Sequence, residues 1–277
     1  MFINFMFIPA NNIKYIKKSE TLANLDNRIF DLEDSILESE FDKAISNISD
    51  IKIRDTDWIR LPIEKYYQHE ILKGLVDSGI NNFVIPKFEG FNDFRRIQTQ
   101  LLKVNKKIKT ILLIENASSY IDMEKILKEY SQHIYGISLG IHDFSFNTGV
   151  KNDYKTLKNI RLNIMLLAKT YSVIPIDIVS IYLTDKKKLV KEIIDGFNIG
   201  YRAKLLIHPK QLEVLKRTEF YSSNEIDEFK RIVKWYHNKE DQRNAILVDN
   251  GRIYEKMHIN EIEKVIKWGE EFYESNR

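Results

Sequence analysis

Charged side chains stand where the short apolar runs of this chain end. Ile29-Phe30 runs into Asp31-Leu32-Glu33-Asp34, Trp58-Ile59 into Arg60, and Phe83-Val84-Ile85 into Pro86-Lys87. Ile111-Leu112-Leu113-Ile114 ends at Glu115, and Tyr135-Gly136-Ile137-Ser138-Leu139-Gly140 leads to Asp143. Glu115 and Asp143 would make a hard oxygen site, and Mg2+ is usually held by one or two carboxylates together with substrate oxygens and water. The alternative for each is a helix cap or a surface ion pair. Arg60 offers a planar fork suited to a substrate carboxylate or phosphate, or to an ion pair with Glu33 or Asp34. Asp31, Glu33 and Asp34 are not all expected to face inward, because strand side chains alternate. At least one is expected as a structural acceptor for Arg60, Lys87 or a loop N–H. His208 precedes Pro209, so a rigid turn and a structural role are expected of it.

Positioning such residues requires the elements between them. Eight strand-like runs can be read: Ile3–Ile8, Arg28–Leu32, Trp58–Leu61, Asn82–Ile85, Thr110–Ile114, Ile134–Leu139, Val173–Val179 and Lys204–Ile207. They are β-branched and aromatic, and several are apolar throughout, as in a parallel sheet buried on both faces. Helix-period stretches alternate with them, among them Tyr66–Asp77, Asp93–Leu102, Ser118–Glu129, Tyr154–Tyr171 and Lys186–Asp195. Eight βα units predict a TIM (β/α)8 barrel over residues 1–220. In that fold the chemistry sits where the strands end. An open doubly wound sheet is the competing architecture, but neither G-x-G-x-x-G nor G-x-x-x-x-G-K-[ST] occurs. Residues 221–277 read as a C-terminal helical extension, too small for a core of its own, packing on the barrel or on a neighbouring subunit. It comprises a charged helix over Ser222–Lys239 opened by Ser222-Ser223-Asn224, an apolar run Ala245–Val248 with the turn Asp249-Asn250-Gly251, and a closing helix Asn260–Tyr273.

Composition removes several classes of function. There is no cysteine, which excludes disulfides, thiolate zinc sites and cysteine nucleophiles. No H-E-x-x-H or G-x-S-x-G pattern occurs, which argues against a zinc protease-type site and acyl-enzyme chemistry. A formal net charge of +3, with Lys186-Lys187-Lys188 and Lys106-Lys107 as solvated faces, argues against a nucleic-acid partner. No apolar run approaches a membrane span, and Phe2–Ile8 lacks the form of a signal segment, so the cytoplasm is the expected location.

Taken in order along the chain, these segments resemble the citrate lyase β-subunit-like family within the HpcH/HpaI aldolase superfamily. Phe7-Ile8-Pro9-Ala10-Asn11 resembles F-V-P-G-N, and Asp31-Leu32-Glu33-Asp34-Ser35-Ile36 resembles D-L-E-D-A-V. Ile59-Arg60-Leu61 stands at R-[VI]-N, Ile85-Pro86-Lys87 matches L-P-K, and Leu113-Ile114-Glu115-Asn116 resembles I-E-[TS]. Gly140-Ile141-His142-Asp143-Phe144 resembles G-x-x-D-[LY], with Gly149 as its downstream glycine. Gly200-Tyr201-Arg202-Ala203-Lys204-Leu205-Leu206-Ile207-His208-Pro209-Lys210-Gln211 closely resembles G-[FY]-x-G-K-x-x-I-H-P-x-Q.

The resemblance implies Mg2+, with Mn2+ as an alternative, on Glu115 and Asp143. It implies that Arg60 binds the carboxylate of a small 2-oxo acid or acyl substrate, with Asn11, Lys87 and Gly140 as further substrate contacts. A C–C bond would be cleaved or formed through an enolate, the charge a Lewis acid and an arginine can stabilise. Glu255, after Gly251-Arg252-Ile253-Tyr254, stands at the last acid of D-G-x-M-[VI]-D, which implies an acid/base supplied across a homo-oligomer. The sequence departs from the CoA-using members at two places. Ile3-Asn4 replaces an R-S pair, and Asn12 an arginine, which removes two cationic contacts for CoA phosphates although Lys14, Lys17 or Lys18 stand nearby. A malyl- or citramalyl-CoA-type lyase or thioesterase, and a non-catalytic barrel subunit, are the competing functions.

Overall fold

Strand interiors built from Val, Ile, Leu and Phe bury both faces, and here they do so in one ring. The computed structural model describes residues 2–238, 246–249 and 251–275, and the chain divides into two compact units, Phe2–Lys216 and Arg217–Arg277. In the first, the strands are β1 (Ile3–Pro9), β2 (Asn27–Asp31), β3 (Asp57–Arg60), β4 (Asn82–Ile85), β5 (Lys109–Ile114), β6 (Ile134–Leu139), β7 (Ile174–Pro175) and β8 (Ala203–Leu206). All pair in parallel, in the order β7-β6-β5-β4-β3-β2-β1-β8. Helices separate them, so the chain is a TIM-type (β/α)8 barrel, as predicted.

Alternation along each strand decides what faces inward. Phe5, Ile29, Trp58, Val84, Ile111, Leu113, Ile176, Ala203 and Leu205 form one buried cluster inside the barrel, with Tyr135 packed against it. Trp58 stacks on Tyr135 at 5.1 Å between ring centroids and meets Phe5 edge-on at 6.0 Å. One residue further along a strand, the side chain faces the helices instead.

The seventh strand is shorter than the apolar run Val173–Val179 suggests. Pro175 has no N–H to give to a ladder, and regular pairing stops there. Asp177 alone carries the chain across to β8: its N–H donates to Ala203 O at 2.8 Å, and Leu205 N–H donates to Asp177 O at 3.0 Å. Thus one residue closes the ring. Its side chain faces outward into a buried ionic cluster, where Arg161 binds Asp177 and Asp195 at 2.8 Å each, and Lys204 reaches Glu192 at 3.2 Å and Asp177 at 3.6 Å. Gly196 makes room for it, since a Cβ there would lie 2.2 Å from Asp177 Oδ2.

Several helices begin or end elsewhere than the periodicity predicts. Ile13–Glu20, Phe41–Ser49 and Ile141–Thr148 are short and were not read as helices, while Ser118–Glu129 divides into Ala117–Ile121 and Met123–Tyr130. Gln68 opens the helix His69–Asp77, because Ile63–Tyr67 winds as a 3-10 turn.

In the second unit, Ser222 and Glu225 exchange hydrogen bonds as a capping box for the helix Ser223–Asn238. An antiparallel hairpin follows, β9 (Ile246–Asp249) and β10 (Arg252–Glu255), where the sequence suggested only an apolar run and a turn. Gly251 takes φ +75 beside this turn, a conformation that glycine tolerates. The helix Lys256–Ser275 starts earlier than expected, and Ile232, Tyr254 and Ile259 form a small buried cluster. Lys239, Ala245 and Asn250, part of the predicted elements, lie outside the described residues. Among the described residues no helix is long and apolar enough to cross a membrane.

Candidate active site

At the C-terminal ends of the strands, a cavity of about 280 Å³ opens between Phe7, Pro9, Asp31, Asp34, Ser35, Arg60, Leu113, Glu115, Leu139, Gly140, Ile141, His142, Asp143, Val179, Leu205 and Ile207. Phe7, Asp31, Arg60, Leu113, Leu139 and Leu205 are the inward residues of the last strand turns, so the barrel's own alternation builds the floor.

Arg60 is the hub. Its Nε and Nη2 each lie 2.7 Å from one oxygen of Asp31, a bidentate pair between neighbours in the β2–β3 register. Nη1 lies 2.9 Å from Glu33 and 3.0 Å from Asp34, and the guanidinium rests 4.7 Å above the Phe7 ring. All three acids of the Asp31–Asp34 segment meet Arg60, as structural acceptors, and only Asp31 and Asp34 of them line the cavity, in line with the expectation that not all three face inward. Regular strand ends at Asp31, and Glu33 and Asp34 belong to the turn beyond it, where alternation no longer applies. The ion-pair alternative for Arg60 is what the geometry contains.

Lys87 ties a second edge. It takes a left-handed φ of +47 directly after Pro86, and its N–H donates to Glu115 Oε2 at 2.6 Å. Its Nζ spans to Glu33 and Asp34 at 2.7 Å each. Glu115 fits against β6 only because residue 140 is glycine: a Cβ there would lie 2.2 Å from Glu115 Cγ and 2.6 Å from Oε1. Asn116 caps the helix Ala117–Ile121 and donates to Phe88 O at 2.9 Å, which fixes the loop behind Glu115.

The electrostatics are lopsided. Five carboxylates, those of Asp31, Glu33, Asp34, Glu115 and Asp143, share two cations, Arg60 and Lys87. Burial, then repulsion from Glu33, pushes Glu115 up to about 8, with Asp143 adding to it. Burial likewise pushes Glu33 up to about 7 against the pull of Arg60. Burial also raises Asp34, but Arg60 and Lys87 outweigh it and hold that carboxyl below its ordinary range. Asp143 lines the cavity from the first turn of the helix Ile141–Thr148. Glu33 Oε2 is buried and meets only the Arg60 guanidinium, at 2.9 Å. Two carboxylates without a cationic partner of their own, Glu115 and Asp143, on a rim with excess negative charge fit a cation. Among the described residues no three or more acidic or histidine side chains are placed to hold a metal ion together.

The structure thus brings together Asp31, Glu33, Asp34, Arg60, Lys87, Glu115, Gly140 and Asp143. Asn11 is set apart: its amide donates to Glu40 at 2.8 Å, and it is not among the cavity-lining residues. His208 is used by the backbone, its Nδ1 accepting from Lys210 N–H at 3.1 Å at the start of the helix Pro209–Arg217. Glu255 ends β10 in the second unit, exposed, with its N–H donating to His258 Nδ1 at 3.0 Å. Sequence reasoning missed Phe7, Val179 and Ile207 as cavity walls, although alternation within β1 and β8 carries the signal for the first and last.

Comparison with known proteins places the chain in a family and agrees with the barrel fold. The sequence pattern of the HpcH/HpaI aldolase/citrate lyase family matches residues 4–209. The mitochondrial citramalyl-CoA lyase of Homo sapiens is 24% identical over 234 residues, 76% of this chain and 68% of that protein. The citrate lyase subunit beta of Leuconostoc mesenteroides subsp. cremoris is 22% identical over 278 residues, 95% and 91% of the two chains. Protein CitE from Mycobacterium tuberculosis, solved with magnesium, acetoacetate and coenzyme A, superposes with a TM-score of 0.81 at 19% identity, over 97% of this chain and 98% of that one. With a family pattern spanning most of the barrel and its rim acids, the chain belongs to the HpcH/HpaI aldolase/citrate lyase family.

Proposed function

We propose that this protein is a Mg2+-dependent lyase or aldolase that cleaves or forms a C–C bond next to a carboxylate or 2-oxo group, through an enolate. The observation that carries this reading is that Glu115 and Asp143 line one rim cavity whose four carboxylates, with those of Asp31 and Asp34, face the single cation Arg60. Named relatives that are citrate lyase or citramalyl-CoA lyase, and a fold neighbour solved with magnesium and acetoacetate, support it.

Glu115 and Asp143 would hold the ion, as hard carboxylate oxygens suit Mg2+. The chemistry supplied there would be that of a Lewis acid, stabilising negative charge that develops on a substrate oxygen. Lys87 N–H fixes Glu115 Oε2, and Gly140 leaves the space that Oε1 occupies. Arg60 reaches a substrate carboxylate by exchanging Asp34, the most exposed of its three acids at 45%. Phe7, Leu113, Leu139, Val179 and Leu205 keep water from the organic part of the substrate. Glu255 supplies the acid/base to the site of a neighbouring copy in a homo-oligomer, as its place in the sequence motif implies.

A CoA ester is the second reading, favoured by the names of the citramalyl-CoA and malyl-CoA relatives. Calorimetric titration with Mg2+, then with pyruvate, oxaloacetate or acetyl-CoA in its presence, separates them. Metal-dependent heat with a 2-oxo acid supports the first reading. No Mg2+ binding at all would leave the barrel as a non-catalytic subunit.

A further inference from the structure

The motif around Lys204 and Gln211 contributes two polar residues that lie outside the chemistry described above. Both side chains are fully buried, and neither is a cavity-lining residue. They serve the segment 178–182, which leaves the sheet after the Asp177 bridge and runs without regular pairing. Its carbonyls need donors, because a buried C=O left alone is costly. Lys204 Nζ donates to Ile178 O at 2.7 Å, and Gln211 Nε2 donates to Ser180 O at 2.8 Å and Tyr182 O at 3.3 Å. Ser180 Oγ adds a bond to Glu192 at 3.2 Å, and Glu192 pairs with Lys204. On its other side, Gln211 Oε1 accepts from Ile207 N–H at 2.9 Å. One amide thereby joins two wall segments: Val179 on the first and Ile207 on the second both line the cavity, on either side of Leu205.

We propose that Gln211 is a positioning residue that sets the length of the apolar group the cavity accepts, restricting the substrate to 2-oxo acids with a short side chain. This inference rests on the lyase reading above. The wall is apolar at Val179, Leu205 and Ile207, and with Leu113 and Leu139 opposite, it encloses about 280 Å³, which suits one small organic acid. Freed from Gln211, the carbonyls of Ser180 and Tyr182 lose their amide donor, and the wall yields to longer chains.

The test is a binding series on the full-length protein with saturating Mg2+: pyruvate, 2-oxobutyrate, 2-oxovalerate and 2-oxohexanoate, each titrated calorimetrically. The unaltered protein should bind pyruvate best and lose affinity with every added methylene. In Gln211→Glu, which keeps the Ile207 bond and shape but loses the donor, the ratio of pyruvate to 2-oxohexanoate affinity should shrink about tenfold. Gln211→Leu should shrink it further, and Val179→Ala, which enlarges the wall without touching the network, should act in the same direction. Far-UV circular dichroism and thermal transitions accompany each variant, and Gln211→Asn, which keeps the amide but shortens its reach to Ser180 O, takes their place with the same expected shrinkage if Gln211→Glu and Gln211→Leu both fail to fold. Unchanged chain-length ratios in the folded variants overturn the inference alone. Absence of any 2-oxo acid binding by the unaltered protein removes the lyase reading, and this inference with it.

Discussion

At the scale of single residues, the site is a problem of surplus charge. Glu33 and Glu115 are held at about 7 and about 8, against 4.5 for each when solvated. Between those values the metal-free folded protein retains protons that the unfolded chain has released, so its stability falls as pH rises from about 5 to 8. Thermal transitions measured across that range should show the decline without metal, and saturating Mg2+ should flatten it. Glu115→Gln and Asp143→Asn should each abolish measurable Mg2+ binding in calorimetry while leaving the barrel folded. Gly140→Ala should do the same indirectly, because its Cβ would strike Glu115, at a stability cost of about 1–3 kcal/mol. A folded Gly140→Ala protein with normal Mg2+ affinity would show that Glu115 has another place to go. These residues were legible in the sequence as acids ending apolar runs. Which of them Arg60 would hold was not, since the turn after Asp31 escapes the alternation that governs strands.

At the scale of elements, strand existence was readable from β-branched runs, while strand length was not. Val173–Val179 looks like one long strand, but Pro175 withdraws a donor and leaves Asp177 to make the closing bridge by itself. The ionic cluster outside that bridge was invisible, because Arg161, Asp177, Glu192, Asp195 and Lys204 come from four separated stretches of chain. Removing one member of a buried ion set exposes the rest: Arg161→Met should cost about 3–5 kcal/mol in urea unfolding, because Asp177 remains buried without its partner. Arg161→Met combined with Asp177→Leu should recover part of that loss. A double-variant cost equal to the sum of the two single-variant costs would mean that the pair contributes no coupling. Short helices such as Ile141–Thr148 were missed for a different reason. Gly140 and Gly149 bound a segment whose polar residues Asp143 and Asn147 serve neighbouring loops and the cavity, and so spoil its apolar period.

At the scale of the whole molecule, the second unit carries Glu255, the acid proposed above as the acid/base. Glu255→Gln should lower turnover by roughly 100-fold or more, with Mg2+ binding and oligomer size unchanged. A chain ending at Tyr221 should lose both turnover and its oligomeric state in sedimentation; full activity there would make the second unit dispensable. The barrel itself has a consequence for assembly. β1 pairs with β2 within thirty residues, but its other edge waits for β8, with Ile3 opposite Ala203. A chain emerging N-terminus first therefore carries a long, unpaired apolar edge until nearly the whole first unit has been made, and such edges invite pairing with other chains. The ring then shuts in one event, because β8 completes its contacts with β1 and with Asp177 together. Pulse-labelled hydrogen exchange during refolding should find the amides of Ile3, Asp177 and Leu205 protected last and at one rate. Truncated chains stopping before Ala203 should aggregate at concentrations where the complete barrel refolds cleanly.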